Sequence, residues 1–224
     1  GGGMVDKVFP DNYFVSKKFP DREEAGTPNI LGAITLGAAI HILDSIGMDV
    51  ILKKDLEITQ YAIDQIKTYD EVFIYGEINN QDSMRAGTLA FNISDMDHGL
   101  VAAILNDYFN IAVRNECFCA HPYVEKMLHT THAEEISELD CLDNQLNWTV
   151  EPWMGMVRAS IGLYTTKKDI DMLINAVSSI VKNKDTFSKK YILNADGDYQ
   201  HKEFEFSSKE YFSLTGTIDK DITS

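Results

Sequence analysis

Two thiols and an imidazole crowd into Arg114–Pro122, RNECFCAHP. Such residues can hold a metal, form a disulfide, act as a nucleophile, or sit buried in a turn. Structural zinc is held by roughly four Cys/His ligands, with paired cysteines typically about two to four residues apart. Here a single residue separates Cys117 from Cys119, and His129, His132 and Cys141 supply no second paired knuckle. No metal site is expected. A Cys117–Cys119 bridge would close a loop too tight for relaxed disulfide geometry. A nucleophilic thiol needs a nearby cation to favour the thiolate, and Arg114, His121 and Arg158 are the candidates. The competing reading is a buried thiol in a turn, since free cysteine is among the most buried residue types. Sequence separation does not decide between the two.

The elements that must position these residues are readable from periodicity. Residues 1–26 read as irregular, with Pro10, Pro20 and the charged run DREE. Thr27 can cap a helix whose first turn holds Pro28. That helix is apolar on all sides, which predicts burial, and it ends at Gly47. Leu52, Leu56, Thr59, Ile63 and Ile66 recur at helical spacing and predict an amphipathic helix. VFIY (Val72–Tyr75) and GTLAFNI (Gly87–Ile93) read as strands. Asp95 or Asp97 opens a helix closed by Asn110. IAV (Ile111–Val113) reads as a short strand running into the cysteines. MVRASIGLY alternates as a strand, with Val157, Ala159, Ile161 and Leu163 on one side and Arg158 and Ser160 on the other. Thr166 and Asp169 form a capping box for a helix burying Ile170, Leu173, Ile174, Val177, Ile180 and Val181. ADGD is the turn of a hairpin in the tail. Strands adjacent in order predict an α/β chain whose smaller domain is α+β. Its sheet is mixed or antiparallel, with helices packed on one face.

Composition bounds the partners. The chain has 35 acidic and 20 basic residues, a formal charge of −15, which repels nucleic-acid phosphates and anionic membranes. No nucleic-acid or membrane partner is expected. No run of about 18 apolar residues exists that could span a bilayer. The N-terminal residues lack a basic and apolar leader. Three cysteines, an odd number, do not build a disulfide framework and suit a reducing cytoplasm.

Three blocks carry a resemblance. EAGTPNILGAITLGAAIHILDSIGMD, IAVRNECFCAHP and VRASIGLYTTKKDIDMLINAV occur in the order found in class V aminotransferases of fold type I. Within that family they resemble the C-terminal part of cysteine desulfurases and selenocysteine lyases. The likeness covers roughly residues 1–182 and implies that GGGM belongs to the family's glycine-rich loop. It implies pyridoxal phosphate as cofactor and a Schiff-base lysine upstream of Gly1. This piece alone is then expected to be inactive. The implied division is 1–46 as the end of the large domain and its linking helix, 47–184 as the small domain, and 185–224 as an extension forming a hairpin. The implied roles are Cys119 as sulfur acceptor, Arg158 as grip for the substrate α-carboxylate, Arg114 as a second substrate contact, and Thr27 as a donor to the cofactor phosphate. The substrate would be a small amino acid, cysteine or selenocysteine, and the product alanine. The whole enzyme would be a homodimer serving a sulfur-acceptor protein. The family pattern R-x-G-x-x-C-A-x-P is met by Arg114, Cys119, Ala120 and Pro122. Glu116 stands where the pattern has glycine, and Cys117 where histidine is common. Residues 123–156 contain an insertion relative to the family. Other class V chemistry such as transamination, or a non-catalytic partner-binding domain, is the alternative.

Overall fold

A computed structural model describes residues 2–78, 87–131 and 155–204. Cys141 and most of the insertion lie outside the described residues, as does the tail from residue 205. The chain divides into two units, Gly1–Leu52 and Lys53–Ser224.

In the first unit, β1 (Val5–Phe9) and β2 (Asn12–Val15) pair antiparallel, with Phe9 opposite Asn12. This corrects the irregular reading of residues 1–26. The Pro10–Asp11 dipeptide is a turn between two stretches rich in valine and aromatics, which is a hairpin signal. Helix α1 (Ile30–Ile46) begins three residues after Thr27. Asn29 is its cap, accepting from the Gly32 N–H at 2.9 Å, so Thr27 does not hold that role. Gly47 closes α1 with φ 92°, and its N–H donates to the Leu43 carbonyl. The expectation that α1 is buried fails, because it has no buried residue, and Leu31 is 77% exposed. An apolar sequence favours burial only where a covering surface exists.

The second unit is built on a three-stranded antiparallel sheet in the order β3 (Val72–Tyr75), β4 (Thr88–Ile93), β5 (Val157–Ser160). The period-two pleat divides its residues. Leu89, Phe91 and Ile93 of β4 and Val157 of β5 enter the main core with Val72. There they meet Ile58, Ile63 and Ile66 of α2 (Met48–Ile66), Val101, Ile104 and Leu105 of α3 (His98–Phe109), and Leu173, Val177 and Ile180 of α5 (Lys167–Lys182). Phe91 is fully buried, so truncation to alanine would cost about 3–5 kcal/mol. Asp97 caps α3, accepting from Gly99 and Leu100. Left-handed Asn110 ends that helix. Thr166 and Asp169 form the expected capping box of α5.

On the opposite face lie Tyr75, Ala90 and Asn92, where α4 (His121–Thr131) adds Val124 and Leu128 to a smaller cluster with Cys117 and Met156. The fold is therefore mixed α/β with small antiparallel sheets, and α4 covers part of the face turned away from the other helices. Ile111–Val113 is not a strand. The segment leaves a left-handed cap and meets β5 through a single antiparallel bridge, Arg114 with Arg158. The short helix α6 (Lys184–Ser188) precedes β6 (Tyr191–Leu193) and β7 (Tyr199–His201), which pair across the Asn194–Asp198 turn. No single helix among the described residues is long and apolar enough to cross a membrane.

Candidate active site

Arg114 and Arg158 exchange both backbone hydrogen bonds, at 3.0 and 2.7 Å, and the Met156 N–H donates to the Glu116 carbonyl at 3.1 Å. The cysteine stretch is thereby tied alongside the entrance to β5. Directly opposed residues of an antiparallel pair present their side chains on the same face. Both arginine side chains thus leave the pair on the same face. Neither is paired with a carboxylate among the described residues. The Nε of Arg158 is buried without a hydrogen-bond partner.

After Glu116 the chain turns sharply. Glu116, Phe118 and Cys119 all have positive φ, at 76°, 53° and 60°. The Ala120 N–H donates to the Cys117 carbonyl at 2.7 Å, and α4 begins at once. The alternation of this turn separates the two thiols. Cys117 points into the smaller cluster and is buried, whereas Cys119 is exposed. Burial pushes the Cys117 thiol up, and the carboxylates of Glu116 and Glu125 push it further. Cys117 is therefore the less reactive thiol, and Cys119 is the accessible one.

A cleft of about 420 Å³ opens between this turn and the sheet. Arg158, Thr88 and Ala90 form its floor, Phe118, Ala120, Tyr123 and Val124 one wall, and Tyr75, Gly76 and Glu77 another. Cys119 lies in sequence between two lining residues, Phe118 and Ala120, and does not itself line the cleft. Asn92 anchors the floor. Its Nδ2 donates to the Gly155 carbonyl at 2.9 Å and to the Tyr75 hydroxyl at 3.2 Å, and its Oδ1 accepts from the Val157 N–H at 3.3 Å. Burial raises the Tyr75 hydroxyl to about 12, although its contact with Asn92 acts in the opposite direction. Gly155 has no room for a side chain, because a Cβ there would overlap Nε2 of His98.

The structure thus brings Cys119, Arg158 and Arg114 to one neighbourhood. Thr27 belongs to the first unit and is described with it. It is exposed, and since Asn29 caps α1, its hydroxyl remains available at the N-terminal end of that helix. His121 is an exposed first residue of α4. Asn92, Phe118 and Tyr75 were not singled out from sequence. The signal for Asn92 was the pleat of β4, which sets it opposite the apolar Leu89, Phe91 and Ile93.

A small antiparallel sheet backed by helices agrees with the family comparison. The aminotransferase class-V model matches residues 1–173, and the chain belongs to that family. A probable cysteine desulfurase of Halalkalibacterium halodurans is 36% identical over 188 residues, covering 84% of this chain and 38% of that protein. A probable cysteine desulfurase of Staphylococcus aureus is 33% identical over 198 residues, with 85% and 38% covered. The apo structure of a cysteine desulfurase from Thermococcus onnurineus NA1 superposes with a TM-score of 0.61 at 30% identity, covering 82% of this chain and 38% of that one. The cysteine desulfurase CsdA of Escherichia coli gives 0.58 at 27% identity, with 81% and 38% covered. The chain spans about 38% of the length of these relatives.

Proposed function

We propose that this chain is the sulfur-accepting part of a pyridoxal-phosphate enzyme of the cysteine desulfurase type. The observation that carries the reading is the backbone pairing of Arg114 with Arg158, which ties the turn bearing exposed Cys119 to the strand bearing an arginine whose Nε has no hydrogen-bond partner among the described residues.

Pyridoxal phosphate supplies an electron sink for bonds at the substrate α- and β-carbons. The residues present suit it in one respect: the Thr27 hydroxyl, outside the helix cap and near the positive end of the α1 dipole, can donate to a phosphate. Arg158 holds the α-carboxylate of cysteine or selenocysteine in its planar fork, and Arg114 adds a second positive charge on the same face. Phe118, Tyr123 and Val124 line the cleft beside that contact. The Cys119 thiolate takes the substrate sulfur. An S–S bond forms as the C–S bond breaks, leaving a persulfide on Cys119 and alanine as the carbon product. Exposure of Cys119 lets an acceptor thiol, on a small molecule or a partner protein, remove that sulfur. The reading extends to a homodimeric whole enzyme in a reducing cytoplasm.

The test is conversion of cysteine to alanine by the polypeptide that joins this chain to the lysine-bearing part of its family. Cys119→Ser is expected to abolish sulfide release in the presence of a thiol reductant. Peptide mass analysis of the unsubstituted protein, quenched during turnover, should place the extra sulfur on Cys119. Arg158→Gln should raise KM for cysteine. Full sulfide release by Cys119→Ser would overturn the reading, and accumulation of the pyridoxamine form of the cofactor would replace it with transamination.

A further inference from the structure

Between the two thiols stands Phe118, whose ring lies under the Arg158 guanidinium with the carbon 4.9 Å from the ring centroid. The ring also lines the cleft and packs against the smaller cluster. Phe118 has φ 53° and Cys119 φ 60°, a backbone region that L side chains rarely adopt. A ring placed against a guanidinium face attracts it through the aromatic quadrupole. It covers that face and leaves the N–H edges for a carboxylate arriving in plane.

We infer that Phe118 is a positioning residue. Its stack on Arg158 fixes the plane of the carboxylate-binding guanidinium and couples that arginine to the turn that presents Cys119. This rests on the role proposed above for Arg158 and adds a residue that role does not require. Two observations support it. The Nε of Arg158 is buried without a partner, so no hydrogen bond there orients the side chain. Phe118 is adjacent in sequence to the accessible thiol, so an arginine that moved would release its constraint on the residue carrying the thiol.

Iodoacetate and iodoacetamide, applied to the intact protein, read this directly. Both alkylate the same thiolate with loss of iodide, and only iodoacetate carries a carboxylate. The ratio of their rates at Cys119, followed by peptide mass, therefore cancels changes in thiolate fraction and exposure. Continued protection of buried Cys117 reports that the turn is folded. The ratio should be higher in the unsubstituted protein than in Arg158→Gln. Phe118→Leu, which keeps apolar bulk without a ring, should lower it about five-fold or to the Arg158→Gln value, whichever drop is smaller. Phe118→Tyr should retain it. If Phe118→Leu loses Cys117 protection, pentafluorophenylalanine at 118 keeps the shape and reverses the quadrupole, and the same drop is expected. A ratio unchanged by the folded ring-free or fluorinated variant overturns the inference while leaving Arg158 in place. A ratio already equal in the unsubstituted protein and Arg158→Gln overturns the arginine role, and the inference with it.

Discussion

Glu116 holds φ 76° where the resembled family pattern has glycine. A left-handed conformation costs an L residue with a Cβ about 1–2 kcal/mol, whereas glycine adds about 0.5–1 kcal/mol of unfolded-state entropy. The difference favours Glu116→Gly by roughly 0.5–1 kcal/mol, and the melting temperature should rise by about 1–4 °C. The same change removes a carboxylate that raises the Cys117 thiol, so Cys117 should react with iodoacetamide at a somewhat lower pH. A melting temperature that falls would mean that the glutamate side chain makes a compensating contact. Tyr75 gives a second test at this scale. Burial holds its hydroxyl up to about 12 against an ordinary 10.0, so the folded state keeps its proton while the unfolded chain loses it. A folded value above the unfolded one means full stabilisation below pH about 10 and progressive loss between about 10 and 12. The loss is on the order of 2–3 kcal/mol. Denaturant melts of Tyr75→Phe should show a shallower decline across that window than the unsubstituted protein. Tyr191 and Tyr199 are also raised by burial, so the difference between the two proteins is the relevant quantity.

Where local chemistry decides an element, the sequence is readable at the scale of elements. The capping box of Thr166 and Asp169, the Asp97 cap and the left-handed Asn110 all lie where side-chain oxygens or a tolerant backbone are required. Strands β3 and β4 lie where VFIY and GTLAFNI read as strands, with one face in the main core. The failures came where tertiary partners decide. Ile111–Val113 has strand-forming residues but meets β5 at one bridge. At the site, Cys119 and Arg158 were reached through family likeness, whereas Phe118 and Asn92 matter through contacts distant in sequence. Gly155 belongs with the second kind, since nothing local marks it. A methyl group there would meet the buried ring of His98, backed by Asn115 at 3.5 Å. Gly155→Ala must displace either that ring or the segment that Asn92 holds. The expected loss is about 1–3 kcal/mol for an overpacked site, with the Arg158 strand shifted. Gly155→Ala should therefore lower the melting temperature and, on the role proposed for Arg158, weaken cysteine binding by the joined polypeptide. A variant that loses stability and keeps its affinity would show that the ring, not the strand, gives way.

At the scale of the whole chain, the first unit shows extensive apolar surface. Ile30, Leu31, Ile34, Leu36, Ile40 and Ile42 of α1 are all more than half exposed, and Val8, Tyr13, Phe14 and Phe19 are as well. These residues are spread round the helix, so turning it about its axis would not hide them. Soluble monomers rarely leave contiguous apolar patches larger than a few hundred Å². Each leucine or isoleucine left in water forgoes about 1.5–3 kcal/mol that burial would supply. The chain of 224 residues, taken alone, is therefore expected to associate through its first unit despite its formal charge of −15. Light scattering after size exclusion should show a mass that grows with concentration. Leu31→Glu combined with Leu36→Lys should return the chain to a monomer, because both sites are exposed and buried contacts in the second unit are untouched. The double variant should leave the alkylation rates of Cys119 and Cys117 unchanged, as the turn that carries them folds within the second unit. A monomeric unsubstituted chain at high concentration would show that charge repulsion outweighs the apolar face. An oligomer that survives the double variant would move the association to another surface.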